Sequence, residues 1–159
     1  TYSAFGATPT PLPWGEVYGA LQTNMIQGQE NPIFWIQSGG LYEVSPHLIF
    51  TGHGWFTTAM MANQNFYNGL SDADKELVQK AADYAFEEIL DHIDGLADEA
   101  LAKIQESSDE VTVTRLNAEQ IEEFRKRAPQ VEAKFVEMAG DSGQQLLNQF
   151  KQDLKDVQK

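Results

Sequence analysis

Three side chains in the first third of the chain have the types that acid–base chemistry uses: Glu16, Glu30 and His53. Proton transfer by such groups requires them to meet within hydrogen-bond reach of one reacting atom. They fall on different predicted elements with no supporting signature around them. Glu16 reads as a first-turn helix acid, Glu30 as a packing residue, and His53 as a buried structural histidine, so no catalytic activity is expected. His47, His53 and His92 lack metal-ligand spacing, and the absence of cysteine excludes disulfides and thiolate metal sites. No metal or cofactor is expected. Recognition is the chemistry left. Trp14, Phe34 and Trp35 are the kind of aromatic wall that, with a few polar donors, makes a small-molecule cleft. Asn31 lies one turn before Trp35 and has such a donor. Each has a plainer alternative: the rings as ordinary core, and Asn31 as a helix N-cap.

The charge map separates the chain into three textures. Residues 1–70 contain no Lys or Arg and only the acids Glu16, Glu30 and Glu43. Residues 71–110 then carry 13 acids against Lys75, Lys80 and Lys103, and residues 111–159 balance eight acids with eight bases. The first part reads as a buried, neutral, aromatic-rich core and the second as a solvated acidic face. A formal net charge of -13 argues against nucleic acid and against anionic lipid surfaces. No apolar run approaches the roughly 18–20 residues of a membrane span, so direct membrane insertion is not expected either.

These residues need elements to position them. Pro13 opens a helix through Trp14–Asn24, followed by a short strand at Met25–Gln29. Asn31-Pro32 starts a second helix, with Asn31 as N-cap, ending near Gly39-Gly40; Leu41–Val44 adds a further turn. His47–Thr51 and Trp55–Ala62 read as buried strands joined at Gly52-His53-Gly54. From Ser71, with Asp74 three residues on as a capping-box-like start, apolar residues recur at Val78, Ala82, Ala85, Ile89, Ile93, Leu96, Ala100 and Ile104. That spacing predicts one helix of about 35 residues, roughly 50 Å long. Val111–Arg115 is a short strand. Asn117 with Gln120 starts a helix that Pro129 breaks and restarts, and Gln144–Val157 is a terminal amphipathic helix after the loop Gly140–Gly143. Strands alternating with helices give an α/β class. A helix of that length either bridges two lobes or offers a coiled-coil surface.

One stretch is more specific than these patterns. Gly6-Ala7-Thr8-Pro9-Thr10-Pro11-Leu12-Pro13, then Glu16, Tyr18 and Ala20-Leu21-Gln22-Thr23, continue through Gly28-Gln29-Glu30-Asn31-Pro32 to Tyr42-Glu43-Val44. In order and spacing this resembles the solute receptors of tripartite ATP-independent periplasmic (TRAP) transporters, the dicarboxylate-type family. Gln27, where the family usually has Asp, and Gly52 before His53, where Asn-His is common, depart from its pattern. The resemblance implies the C-terminal half of a two-lobed periplasmic-binding-protein fold. Residues 1–70 would belong to substrate-binding lobe two with hinge strands. Residues 71–106 would form the lobe-bridging helix, and residues 107–159 would return as a strand and helices packed across the lobes.

The function implied is that of an extracytoplasmic receptor in the periplasm. It would trap a small organic acid by closure of the two lobes and deliver it to the membrane subunits of a TRAP permease. Asn31 would donate to the ligand carboxylate, with Trp14, Phe34 and Trp35 as cleft aromatics. The family's carboxylate-clamping arginine falls before Thr1, in agreement with the cation-free first 70 residues. Three alternatives stand beside this reading. The same fold can serve as a ligand-sensing module of a signalling system, residues 71–105 can act as a helical interaction module, and a hydrolase would show turnover that Glu30→Gln abolishes.

Overall fold

A computed structural model describes residues 1–157, with Asp94 described by its backbone alone. Seven α-helices and a two-stranded sheet alternate along them. Helix α1 (Trp14–Gln22) starts after Pro13, whose missing N–H costs nothing at that position. It ends two residues before the expected limit. The Thr23 hydroxyl donates back to the Gly19 carbonyl at 2.7 Å, and Asn24 takes a left-handed φ of 56°. That turn, braced by Gln27 Nε2 donating to the Asn24 carbonyl, replaces the strand expected at Met25–Gln29.

Helix α2 (Ile33–Ser38) begins one residue later than expected, because Pro32 keeps an extended ψ of 141° and itself occupies the N-cap. Asn31 therefore does not cap it; its amide donates instead to Gln29 Oε1 at 2.7 Å. Gly39 closes the helix, and Gly40, at φ +64°, turns the chain into the 3-10 turn Leu41–Glu43. Strand β1 (His47–Phe50) follows, with only Leu48 of its four residues buried.

The second buried strand, Trp55–Ala62, does not form. Those residues have no regular structure and are exposed, Trp55 by 97%. A strand requires a neighbour, and the sheet consists of β1 and β2 (Thr112–Arg115) alone. After this segment comes helix α3 (Gln64–Gly69), which periodicity did not reveal. Asn63 caps it by accepting from the Asn65 and Phe66 amides. Helix α4 (Asp72–Ser107) is 36 residues long, close to the expected length. Ser71 Oγ accepts from the Asp74 amide and donates to Asp74 Oδ2 at 2.6 Å, so only half of a reciprocal capping box is present. Helix α5 (Ala118–Arg125) carries the complete Asn117/Gln120 box. Pro129 sits in the first turn of α6 (Ala128–Ala139), and a 3-10 turn leads into α7 (Gly143–Val157).

The chain divides into two compact units. One contains Thr1–Pro11, Ile49–His53 and Arg115–Lys159; within it α6 packs on α7, and Phe5 meets Phe124 edge-on at 4.7 Å. Arg115 stacks over Phe50 at 4.5 Å. His53 is exposed, not buried, with its ring edge-on to Tyr2 at 5.2 Å. The other unit contains Leu12–Leu48 and Gly54–Thr114, and there α2 packs against α4. All nine buried apolar side chains of the described residues lie in this second unit: Val17, Ala20, Leu21, Ile33, Ile36, Leu41, Leu48, Ala100 and Ile104. None is aromatic, so the expectation of a buried aromatic core in residues 1–70 is corrected. Aliphatic residues fill the interior and the rings lie outside it.

Candidate functional site: an exposed aromatic wall

The sequence placed Trp14 on α1 and Phe34 and Trp35 on α2, and the structure brings the three rings together. Trp35 is the hub. Its ring lies 6.0 Å from that of Trp14, tilted by 54°, and 5.9 Å from Phe34 in an edge-on pair. Phe56 completes the group, edge-on to Trp35 at 4.8 Å. Buried Ile33 and Ile36 anchor α2 from its inner face, which turns Trp35 outward. Trp14 remains 49% exposed and Trp35 37%, while Phe34 is half-buried. Large rings that pair with one another yet keep faces open to solvent form a wall rather than a core.

Asn31 leads into α2 two residues before its first residue, with its amide turned to Gln29. Freed from capping, that amide has a second N–H for another acceptor. Phe56 was missed in the sequence because the run from Trp55 to Ala62 read as a buried strand. The signal available was its aromatic content in a neutral stretch with no partner strand.

Helix α1 carries the acid Glu16, and neither α1 nor α2 has a Lys or Arg. The hydroxyl of Tyr18, also on α1, donates to Glu43 Oε2 at 2.9 Å. That hydrogen bond, with minor burial and the carboxylate charge, raises the Tyr18 pKa above its ordinary value. Of the residues of acid–base type, Glu16 stands in the first turn of α1 and Glu30 precedes α2, while His53 belongs to the other unit, with Thr51 Oγ1 at 2.6 Å from its Nδ1. No group of His, Asp and Glu fit to hold a metal ion occurs among the described residues, and no helix among them is long and apolar enough to cross a membrane. A hollow of about 230 Å³ in the unit that carries the wall, lined by Thr58, Ala59, Met60, Ala85, Phe86 and Ile89, has almost no polar group to orient a ligand. The wall can bind a flat or delocalised cationic group through the ring faces; it has no cation with which to hold an acid.

The chain is 72% identical over 158 residues to the ectoine-binding periplasmic protein TeaA of Halomonas elongata, covering 99% of this chain and 46% of that protein. It is 55% identical over 154 residues to the ectoine/5-hydroxyectoine-binding periplasmic protein UehA of Ruegeria pomeroyi, with 97% and 45% covered. The chain thus spans about half the length of these curated relatives. Among solved structures, the ectoine-binding protein of the TeaABC TRAP transporter of Halomonas elongata superposes with a TM-score of 0.91 at 71% identity, over 98% of this chain and 51% of that one. A TRAP periplasmic solute-binding protein from Desulfovibrio salexigens with bound orotic acid matches with a TM-score of 0.82 at 27% identity, over 98% and 50%. Its α/β fold is therefore that of about half of a TRAP solute-binding protein. The family model for bacterial extracellular solute-binding protein family 7 (DctP) matches residues 1–138, and the chain belongs to that family of binding proteins, which are not enzymes.

Proposed function

We propose that this chain is the C-terminal portion of a periplasmic receptor that binds ectoine or a solute of its type and delivers it to a TRAP permease. The observation that carries the reading is the Trp14, Phe34, Trp35 and Phe56 cluster, exposed in a segment with no cation of its own. Ectoine unites a delocalised amidinium and a carboxylate on one small ring. The amidinium suits the face of an indole, an interaction of about 0.5–2 kcal/mol that strengthens as water is excluded. The carboxylate calls for a bidentate guanidinium, and the three arginines of this chain are already engaged: Arg115 over Phe50, Arg125 with Glu122 at 3.7 Å, and Arg127 with the Ala4 carbonyl at 3.4 Å. The clamp is assigned to the part of the receptor outside residues 1–159, which makes that part the first lobe and α4 the bridge to it. Asn31 supplies one further hydrogen bond to the carboxylate.

The experiment is a chimera in which this chain replaces the matching portion of TeaA, titrated with ectoine by calorimetry beside the chain alone. The chimera is expected to bind and the chain alone to bind poorly. Asn31→Ala in the chimera is expected to weaken binding by about 1–3 kcal/mol, the cost of a hydrogen bond to a charged group. A folded chimera that gives no heat with ectoine refutes the ligand assignment, and tight binding by the chain alone refutes the missing clamp.

A further inference from the structure

We propose that Gly39 is a positioning residue for the aromatic wall: the absence of a side chain there is what admits the Trp14 indole against the end of α2, beside Trp35. A Cβ built on Gly39 would lie 2.8 Å from Cζ2 and 3.2 Å from Cη2 of Trp14, and 3.1 Å from the Trp35 carbonyl oxygen. The first distance is shorter than real methyl contacts allow. The Gly39 backbone, at φ -87° and ψ -1°, suits any residue. What is excluded is volume, not conformation. The indole cannot yield by bending its tip, since it is a rigid plane with two torsions, and Trp35 stands 6.0 Å from its centre.

A second fastening ties α1 to the 3-10 turn that follows α2. Tyr18 lies one turn after Trp14 on the same face of α1, and its hydroxyl reaches Glu43. Glu43 is carried there by the left-handed Gly40, and its Oε1 would sit 3.3 Å from a Cβ at that glycine. The Gly39-Gly40 pair is thus gripped by an indole and by the carboxylate that a phenol holds. The two contacts together set where Trp14 stands relative to Trp35. The consequence for ligand binding rests on the ectoine reading; the consequence for the ring pair does not.

Two indoles this close and this tilted couple their transitions, so circular dichroism should show an exciton couplet that Trp14→Phe abolishes. Gly39→Ala is expected to remove most of that couplet while the helical signal stays intact. In the TeaA chimera it is expected to weaken ectoine binding about three- to tenfold, the scale of one misplaced cation–π contact. If Gly39→Ala also lowers the melting temperature, adding Trp14→Phe, with its smaller ring, restores it. An unchanged couplet in Gly39→Ala overturns the proposal, as does a destabilised variant that Trp14→Phe fails to rescue. A lost couplet with unchanged ectoine affinity overturns the role in binding. An unmodified chimera that does not bind ectoine sinks the functional reading instead, and the couplet and the rescue then decide the assignment of Gly39 by themselves.

Discussion

Helices α2 and α4 pack on one another and are stabilised in opposite ways. Helix α2 has six residues, no side-chain cap and no charged residue, and a helix that short has no standing by itself in water. It persists because Ile33 and Ile36 are buried. Helix α4 is about 54 Å long at 1.5 Å per residue, and among its described side chains only Ala100 and Ile104, near its C-terminal end, are buried. Over most of its length it depends on local devices. These are the Ser71 cap, Asp72 and Asp74 in the first turn, Lys80 paired with Glu76 at 2.7 Å, and Gln79 donating to Asp83 at 2.7 Å. The difference teaches where the wall's precision comes from. The element that carries Trp35 is held by tertiary packing alone, and the long helix offers it a seat at one end.

The sharpest way to break this contrast is to remove the seat. Ile104 is 0% exposed, so Ile104→Ala should cost about 2–5 kcal/mol in urea or thermal unfolding, through lost burial and the cavity left behind. Its near-ultraviolet aromatic signal should weaken along with its stability. Loss of stability below about 1 kcal/mol would mean that α2 does not depend on α4. The local devices should matter less individually. Ser71→Ala removes the cap and should cost about 1 kcal/mol, read as earlier fraying of residues 72–76 in hydrogen exchange. Gly95, in the middle of α4, has open space where a Cβ would stand. Gly95→Ala should therefore stabilise the protein by about 0.5–1 kcal/mol, and a destabilised variant would reveal packing there.

The smallest effect is a titration. The Tyr18 hydroxyl donates to Glu43 only while protonated, and its pKa is raised in the fold. The contribution of this pair is therefore complete below the unfolded tyrosine range and is lost as pH rises through the raised value. Ultraviolet difference spectra should show a late-ionising tyrosine component in the wild type, and Tyr18→Phe should remove it. A late component that persists in the variant would assign it elsewhere.

Much of this was legible in residue order. The caps at Ser71 and Asn117, the proline restart at Pro129 and the Gly39-Gly40 stop act within a few residues, so their chemistry is visible locally. The motif from Gly6 to Val44 led to the family. Asn31 failed as a cap for an equally local reason, since Pro32 took that position with an extended ψ. The larger failures came from partners. Met25–Gln29 and Trp55–Ala62 have strand composition, yet a strand exists only where another lies beside it, and a single chain of letters does not say which runs will meet. The aromatic residues were read as interior because burial and recognition use the same rings. Phe56 was lost to the site for that reason, whereas Trp35 and Phe34 were retained by their place one turn after Asn31, and Trp14 by its position in the resemblance.

The cation-free start of the chain also has a practical side. The first basic residue is Lys75, so trypsin finds no cleavage site among the residues of the wall, and the whole wall leaves on a single fragment that contains residues 1–75. Reagents that target lysine or arginine side chains can modify α4 and the helices after β2 while leaving every ring of the wall untouched. A dye on Lys151 would therefore label the protein without reacting with any ring of the wall.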